Sequence, residues 1–264
     1  METIIMICMG LWFFFLGCAL GSFYNVVVDR LPNDRGIVFG RSECESCHHK
    51  LSLLDLIPIF SFLFLKARCR YCGKKLSPQY LLSEIAVGGL FLVAFLLHKD
   101  DFQISKIITV LSLWSMLFVV AMMDQKHGII IDQVLLVFTA IGVAAELYTG
   151  VSLKFMGLGF LSGIVFYALI YLVAFIVTGK ECFGLGDVML MGAIGAFLGP
   201  HQTIITGFLS FYCSLIFIIF NIVKNKGISN MQAMPFGPSM CMAAFIMSLW
   251  GEPITVYIGT LLGF

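Results

Sequence analysis

Residues 107–124 read IITVLSLWSMLFVVAMMD, seventeen residues without a charge and then an aspartate. Taken back to residue 104, the run is long enough for a helix of about 20 residues, which at ~1.5 Å per residue crosses ~30 Å of hydrocarbon. Comparable runs lie at about 4–28, 80–98, 104–123, 133–149, 155–178, 188–200, 203–223 and 238–262. The chain has 264 residues, of which 60% are hydrophobic and 12% charged, with a mean hydropathy of +1.00. That leaves too little polar surface for a soluble globule. The expected fold is an all-α polytopic membrane protein of about eight transmembrane helices. The sixth run is short and glycine-rich, so it either begins inside the membrane or continues over Pro200. The first is too long and runs too smoothly into Asp29 to be a cleaved signal peptide and reads as a retained helix.

The net charge of +1 gives no sign of a nucleic-acid partner, and none is expected. What matters is where the charges fall. With the first helix starting outside, segments 29–79, 124–132, 179–187 and 224–237 face the cytoplasm and carry nine, one, one and two Lys and Arg. Only Lys99, Lys106 and Lys154 remain outside, as the positive-inside rule requires. This orientation puts the polar features of the chain on the cytoplasmic side. Three segments follow: a first helix at 1–28, a cytoplasmic loop domain at 29–84, and a helical core at 85–264.

The loop contains CESC at 44–47 and CRYC at 69–72. Two C-x2-C knuckles 21 residues apart approach the spacing of a four-thiolate zinc site, and four soft sulfurs suit tetrahedral zinc. A loop of ~50 residues builds little core of its own, so a metal would supply folding energy. The alternatives are two disulfides or four plain thiols, and a reducing cytoplasm disfavours the first. His48 and His49 read as solvated neighbours. The scattered Cys8, Cys18, Cys182, Cys213 and Cys241 read as small apolar residues. Asp34, Glu43, Glu45 and Asp55 read as a solvated loop surface.

Three aspartates mark helix ends. Asp132 opens the fourth run and Asp187, in GLGD at 184–187, opens the sixth. Both are well placed as N-caps, accepting from free N–H groups of the first turn. Asp124 closes the third run, where the negative end of the helix dipole disfavours it. Two aspartates on one face of a bundle can instead share a proton, one acting as acid while the other activates water. Glycines beside Asp187 would let an extended backbone approach. Residue types alone leave capping and catalysis both open. His127 reads as a solvated loop histidine.

Taken in order, GSFYNVVVDRLP at 21–32, the two knuckles with DLIPIFSFLFLKARCRYCGKKLSPQYLLSE at 55–84, the Asp124–Asp132 loop, GLGDVMLMGAIGAFLG at 184–199 and MPFGPSM at 234–240 form a pattern. It resembles the type IV prepilin peptidases of the GxGD aspartyl protease group. The resemblance implies an enzyme that cuts the basic leader from type IV prepilins, or from pseudopilins of type II secretion, after a glycine at the cytoplasmic membrane face. It also implies N-methylation of the new terminus with S-adenosylmethionine, and a place in a bacterial inner membrane. By motif position the catalytic pair is Asp124 and Asp187, supported by Asp132, Gly184 and Gly186. The methyltransferase candidates are Gly21, Asn25, Arg30 and Glu84, and the metal ligands are Cys44, Cys47, Cys69 and Cys72.

Two positions depart from the pattern. Ile131 stands where a proline usually precedes the aspartate, and Leu81 stands where a proline usually follows Tyr80, which keeps a peptidase without methylation as an alternative. PFGP at 235–238 starts the last run, either beside the site or as a plain turn. A small transporter whose carboxylates bind a cation is a reading from another class. It is disfavoured because no inverted repeat of interrupted helices is evident.

Overall fold

The structure, a computed structural model, describes residues 2–37, 40–44, 46–179, 184–225 and 235–262. Glu45, Cys182 and Met234 lie outside the described residues. The helices are α1 (Glu2–Arg30), α2 (Phe60–Phe64), α3 (Pro78–Leu97), α4 (Ile104–His127), α5 (Asp132–Thr149), α6 (Leu153–Thr178), α7 (Leu185–Asn225) and α8 (Gly237–Leu262). All but α2 are long and apolar enough to cross a membrane, so this is a multi-pass membrane protein. The chain divides into two compact units, Met1–Gln103 and Ile104–Phe264.

In the first unit α1 lies against α3 along a stripe of small residues. A Cβ at Gly17 would sit 2.8 Å from the Cα of Gly88, and one at Gly21 would sit 3.0 Å from the Cα of Glu84. Gly17 and Gly21 are four residues apart, the small-xxx-small spacing that lets two backbones touch where lipid gives no hydrophobic drive to pack. Farther along the same contact, Phe13 stacks on Phe95 with centroids 5.1 Å apart.

The second unit turns on α6 and α7. The 41-residue α7 is interrupted at Gly199, whose φ of 75° and ψ of 171° are not helical, and Pro200 follows. Contacts with α6 give the direction of each arm. Gly199 lies against Phe155, Gly195 against Gly159, and Met191 against Gly163, so the first arm runs antiparallel to α6. Beyond the break the order reverses, with Gly207 against Phe166 and Ser210 bonded to Tyr167, so the second arm returns parallel to α6. The element is a helical hairpin of two arms. This reconciles seven long helices with eight apolar runs: the sixth and seventh are joined without a loop.

Glycine is required where α6 meets the first arm. A Cβ at Gly159 would fall on the carbonyl oxygen of Gly195, and one at Gly163 on that of Met191. Elsewhere α4 and α5 form a hairpin and α8 packs on α4 and α7, with Trp114 Nε1 donating to Ser248 Oγ at 2.8 Å. A leucine at Gly159 must push the arms apart, at about 2 kcal/mol. For a unit of this size that lowers the melting temperature by about 4–8 °C. Gly157→Leu, at a site where a Cβ meets nothing within 4 Å, leaves it unchanged. Thermal unfolding of both variants in detergent checks this.

Candidate active site and thiol cluster

Asp124 occupies the last turn of α4, which continues past it to His127. Its side chain is buried, with the residue only 6% exposed, and its Oδ2 accepts the backbone N–H of Gly237 at 2.8 Å. Gly237 is the first residue of α8, so the carboxylate sits at the positive end of another helix. This answers the objection that a helix C-terminus disfavours an aspartate: the favourable dipole comes from α8, 113 positions away in sequence. A Cβ on Gly237 would land on the same carboxylate oxygen, so only glycine permits the approach.

Asp187 is the third residue of α7 and 8% exposed. Its Oδ2 accepts the N–H of Gly184 at 3.0 Å, while its own N–H donates to the Gly184 carbonyl at 3.1 Å. That is the back-reaching half of a capping box, so Asp187 does cap its helix, from the third position and not from the N-cap. Gly186 packs on Ile130, where a Cβ would be 3.0 Å away. Asp187 lies within electrostatic reach of Asp124, and Cys241, one turn into α8 and buried, lies within reach of both. The structure therefore brings the two aspartates to one buried place. Among the described residues, the second oxygen of each takes no hydrogen bond.

Aromatic rings close this place on one side. Tyr167, within reach of Asp187, pairs its hydroxyl with Ser210 Oγ at 2.6 Å and packs against Phe211 and Phe236, the residue before Gly237. Sequence reasoning found neither Tyr167 nor Cys241, because each is one apolar-looking residue inside an apolar helix. Two further residues differ from expectation. Asp132 is exposed and is the first residue of α5, whose N-cap is Ile131, so it caps nothing. His127 belongs to α4 and is half-buried, with no hydrogen-bond partner at its Nε2 among the described residues.

In the first unit the four knuckle cysteines converge, with all four Sγ atoms within 4.8 Å of one another and Cys44 and Cys72 3.9 Å apart. The two knuckles repeat one backbone pattern. The N–H of Cys44 donates to the His49 carbonyl as that of Cys69 does to Lys74, and His48 and Gly73 take the same left-handed position. Backbone N–H groups of Ser46 and Cys47 at the Cys44 sulfur hold its thiol down at about 6. Neither His48 nor His49 joins the cluster; the His49 ring lies on Tyr71.

The remaining candidates of this unit sit where the C-terminal part of α1 meets the N-terminal part of α3. Asn25 and Ser83 share a buried pair of side-chain bonds at 2.7 and 2.9 Å. Glu84 is buried, and its Oε2 accepts the N–H of Ile59 at 2.8 Å. Gly21 is the close-approach residue beneath Glu84. Arg30 points its guanidinium at the carbonyls of Gly36, Gly40 and Arg41, holding the loop's first turn.

Both units have counterparts among known proteins. Residues 15–98 match the bacterial peptidase A24 N-terminal domain, and residues 111–219 match the type IV leader peptidase family. A prepilin leader peptidase/N-methyltransferase of Klebsiella pneumoniae is 35% identical over 197 residues, covering 72% of this chain and 85% of that one. Its namesake in Bacillus subtilis is 30% identical over 252 residues, covering 95% and 98%. The chain belongs to the type IV leader peptidase family. No solved structure matches it. The leader peptidase match contains both buried aspartates, and the N-terminal match contains all four thiols.

One loop residue was misread. Asp55 is no solvated carboxylate: its oxygens take Arg70 Nε at 2.6 Å, Ser52 N and Oγ at 3.0 and 2.8 Å, and the Tyr71 hydroxyl at 3.1 Å. Burial alone would raise its pKa, but the bonds from Ser52, Arg70 and Tyr71 outweigh it and hold the carboxyl at about 2, below the ordinary 3.8. A depressed carboxyl stabilises the fold fully above its unfolded value, and that contribution is lost as pH falls through the folded one. Hydrogen exchange at residues 52–71, taken as a protection factor so that the intrinsic pH dependence of the amides is removed, should therefore be unchanged down to about pH 4 and quicken between pH 4 and pH 2. Asp55→Asn should quicken it already at pH 7.

Proposed function

We propose that this chain removes the leader peptide of type IV prepilins, or of the pseudopilins of type II secretion, after a glycine, and N-methylates the new terminus. The observation that carries the peptidase half is the pair of buried carboxylates, Asp124 and Asp187, each held through one oxygen by a backbone N–H at a helix N-terminus. With one proton between them, the ionised member takes a proton from water and the neutral member gives one to the peptide carbonyl. Water's oxygen bonds to the carbonyl carbon; collapse breaks the C–N bond, the nitrogen leaves with a proton, and the shared proton is restored. Gly184 and Gly237 aim the carboxylates, since an N–H fixed to one oxygen sets the direction of the other. Gly184 is exposed and Gly186 is half-buried, so a substrate strand can lie against this turn.

A prepilin joins a basic leader to an apolar helix, so its scissile bond lies near the membrane surface. The lysine and arginine distribution supports an inner-membrane protein with this face toward the cytoplasm. For the second activity, the thiol cluster fits zinc. Tetrahedral Zn–S bonds of ~2.3 Å put sulfurs about 3.8 Å apart, close to the 3.9 Å between Cys44 and Cys72. Cys44, Cys47, Cys69 and Cys72 would hold it as a structural ion. S-adenosylmethionine, when bound, supplies an electrophilic methyl on a cationic sulfonium. The buried Asn25 and Glu84, with the half-buried Asp29, suit a cationic ligand where α1 meets α3 and would hold it.

Asp124→Asn and Asp187→Asn should each leave a co-expressed prepilin uncut by mass spectrometry while the protein still accumulates; normal processing by either removes the assignment. Gly237→Ala, which displaces the Asp124 carboxylate, should slow cleavage about 100-fold, the scale of a ~1 Å misplacement. Cys69→Ser should lose zinc by elemental analysis and lose the methyl group on the product, with cleavage retained. A cut but unmethylated product from the wild type would leave a peptidase alone.

A further inference from the structure

Between Lys50 and Lys66 the loop reads LSLLDLIPIFSFLFL, fifteen residues with one charge. In the structure a 3-10 turn at Leu53–Leu56 and the short α2 present these side chains outward. Leu53 is 83% exposed and Phe64 82%, with Leu54 and Leu63 at 60% or more. Such a patch in water would be a liability. Its one charge is turned away, because Asp55 is bonded to Ser52, Arg70 and Tyr71.

Two contacts fix how far the segment reaches along the spans. The backbone N–H of Ile59 bonds to Glu84, six residues into α3. A 20-residue helix is about 30 Å long and just spans the hydrocarbon, so Glu84 lies about 9 Å below the boundary at Pro78. On α1, Phe60 stacks on Phe15 with centroids 5.9 Å apart. If α1 enters the hydrocarbon at residue 3, about 20 residues carry it out near residue 23, leaving Phe15 about 12 Å inside. If it leaves at Arg30, Phe15 is about 22 Å inside. The two contacts, one on each helix, agree that the tip of the segment is below the membrane surface.

The backbone at the tip suits that place. Pro58, Ile59 and Phe60 form a tight turn closed by Phe60 N–H to the Pro58 carbonyl, with Ile59 at φ 62° and ψ −55°. This is a strained γ-turn for a β-branched residue. Its outward N–H is taken by Glu84, and Ser61 N–H bonds to the Ile57 carbonyl, so these donors are satisfied, as hydrocarbon demands. Basic residues flank the segment: Lys50 before it, and Lys66, Arg68 and Arg70 after it, where they meet headgroups.

We propose that residues 51–65 form a re-entrant segment inserted among the lipid acyl chains beside α1 and α3, turning at Pro58–Phe60. The exposed leucines and phenylalanines continue the lipid-facing side of α1, where Phe15 is itself exposed. The loop is thus anchored at three places, its two parent helices and this dip. The proposal does not rest on the catalytic reading.

The test reconstitutes the full chain in liposomes whose lipids carry a diazirine halfway down an acyl chain. After irradiation, adducts are mapped by peptide mass spectrometry, with the exposed side of α6 at Leu172, Val173 and Ile176 as the internal standard. Adducts at Leu53, Leu54, Leu63 or Phe64 at a yield within about threefold of that standard are expected. Labelled α6 with an unlabelled 51–65 overturns the proposal, whether water or protein covers the segment. A second lipid with its diazirine in the headgroup should label Lys66 and its neighbours more than Phe60; the reverse order would also overturn it.

Discussion

Backbone touches backbone where Gly159 of α6 meets Gly195 of α7, and the second unit depends on that contact. It lets the first arm of α7 lie flush on α6, so that the break at Gly199 can return the chain along the same helix. The first arm then carries Asp187 to the level of Tyr167, well inside α6 and away from its end. The second arm brings Ser210 and Phe211 against Tyr167, and α8 begins beside them with Phe236 packed on the same rings. Only from that starting point does the Gly237 amide meet Asp124. A methyl group between α6 and the first arm would move every later member of this series.

Capping and the proposed catalysis do not exclude each other. Asp187 accepts the N–H before its own helix, and Asp124 accepts the first N–H of another. Each carboxylate spends one oxygen on satisfying a helix end and keeps the other. Buried N–H groups need acceptors in a low-dielectric bundle, and in the proposed reaction the same acceptors would serve as oriented reagents.

What could be read from the sequence follows from the range of each signal. Apolar runs and doubled cysteine knuckles are local, and both stand in the structure where spacing puts them. The partnership of Asp124 with Gly237 spans 113 positions and leaves no local trace, so PFGP looked as much like a plain turn as a site. Asp55 and His127 were misjudged for a shared reason, since position in a loop was taken to settle solvation, whereas Asp132 was misplaced by one residue. Asp55 is engulfed by Arg70 and Tyr71, His127 is still helical, and Asp132 is one residue past the cap. The sixth and seventh runs were readable as lengths, but their union into a hairpin needed the contacts of Gly199.

The first arm of α7, from Leu185 to Gly199, is only about 21 Å long. A hydrocarbon layer of about 30 Å is deeper than that by some two turns of helix. With Gly199 level with Phe155, near the start of α6, the missing length falls on the side of Gly184 and Asp187. If the carboxylates carry the proposed hydrolysis, water must reach that depth, and the shortfall would give it a way down by thinning the bilayer there. The turnover of such an enzyme would then respond to the thickness of the lipid around it.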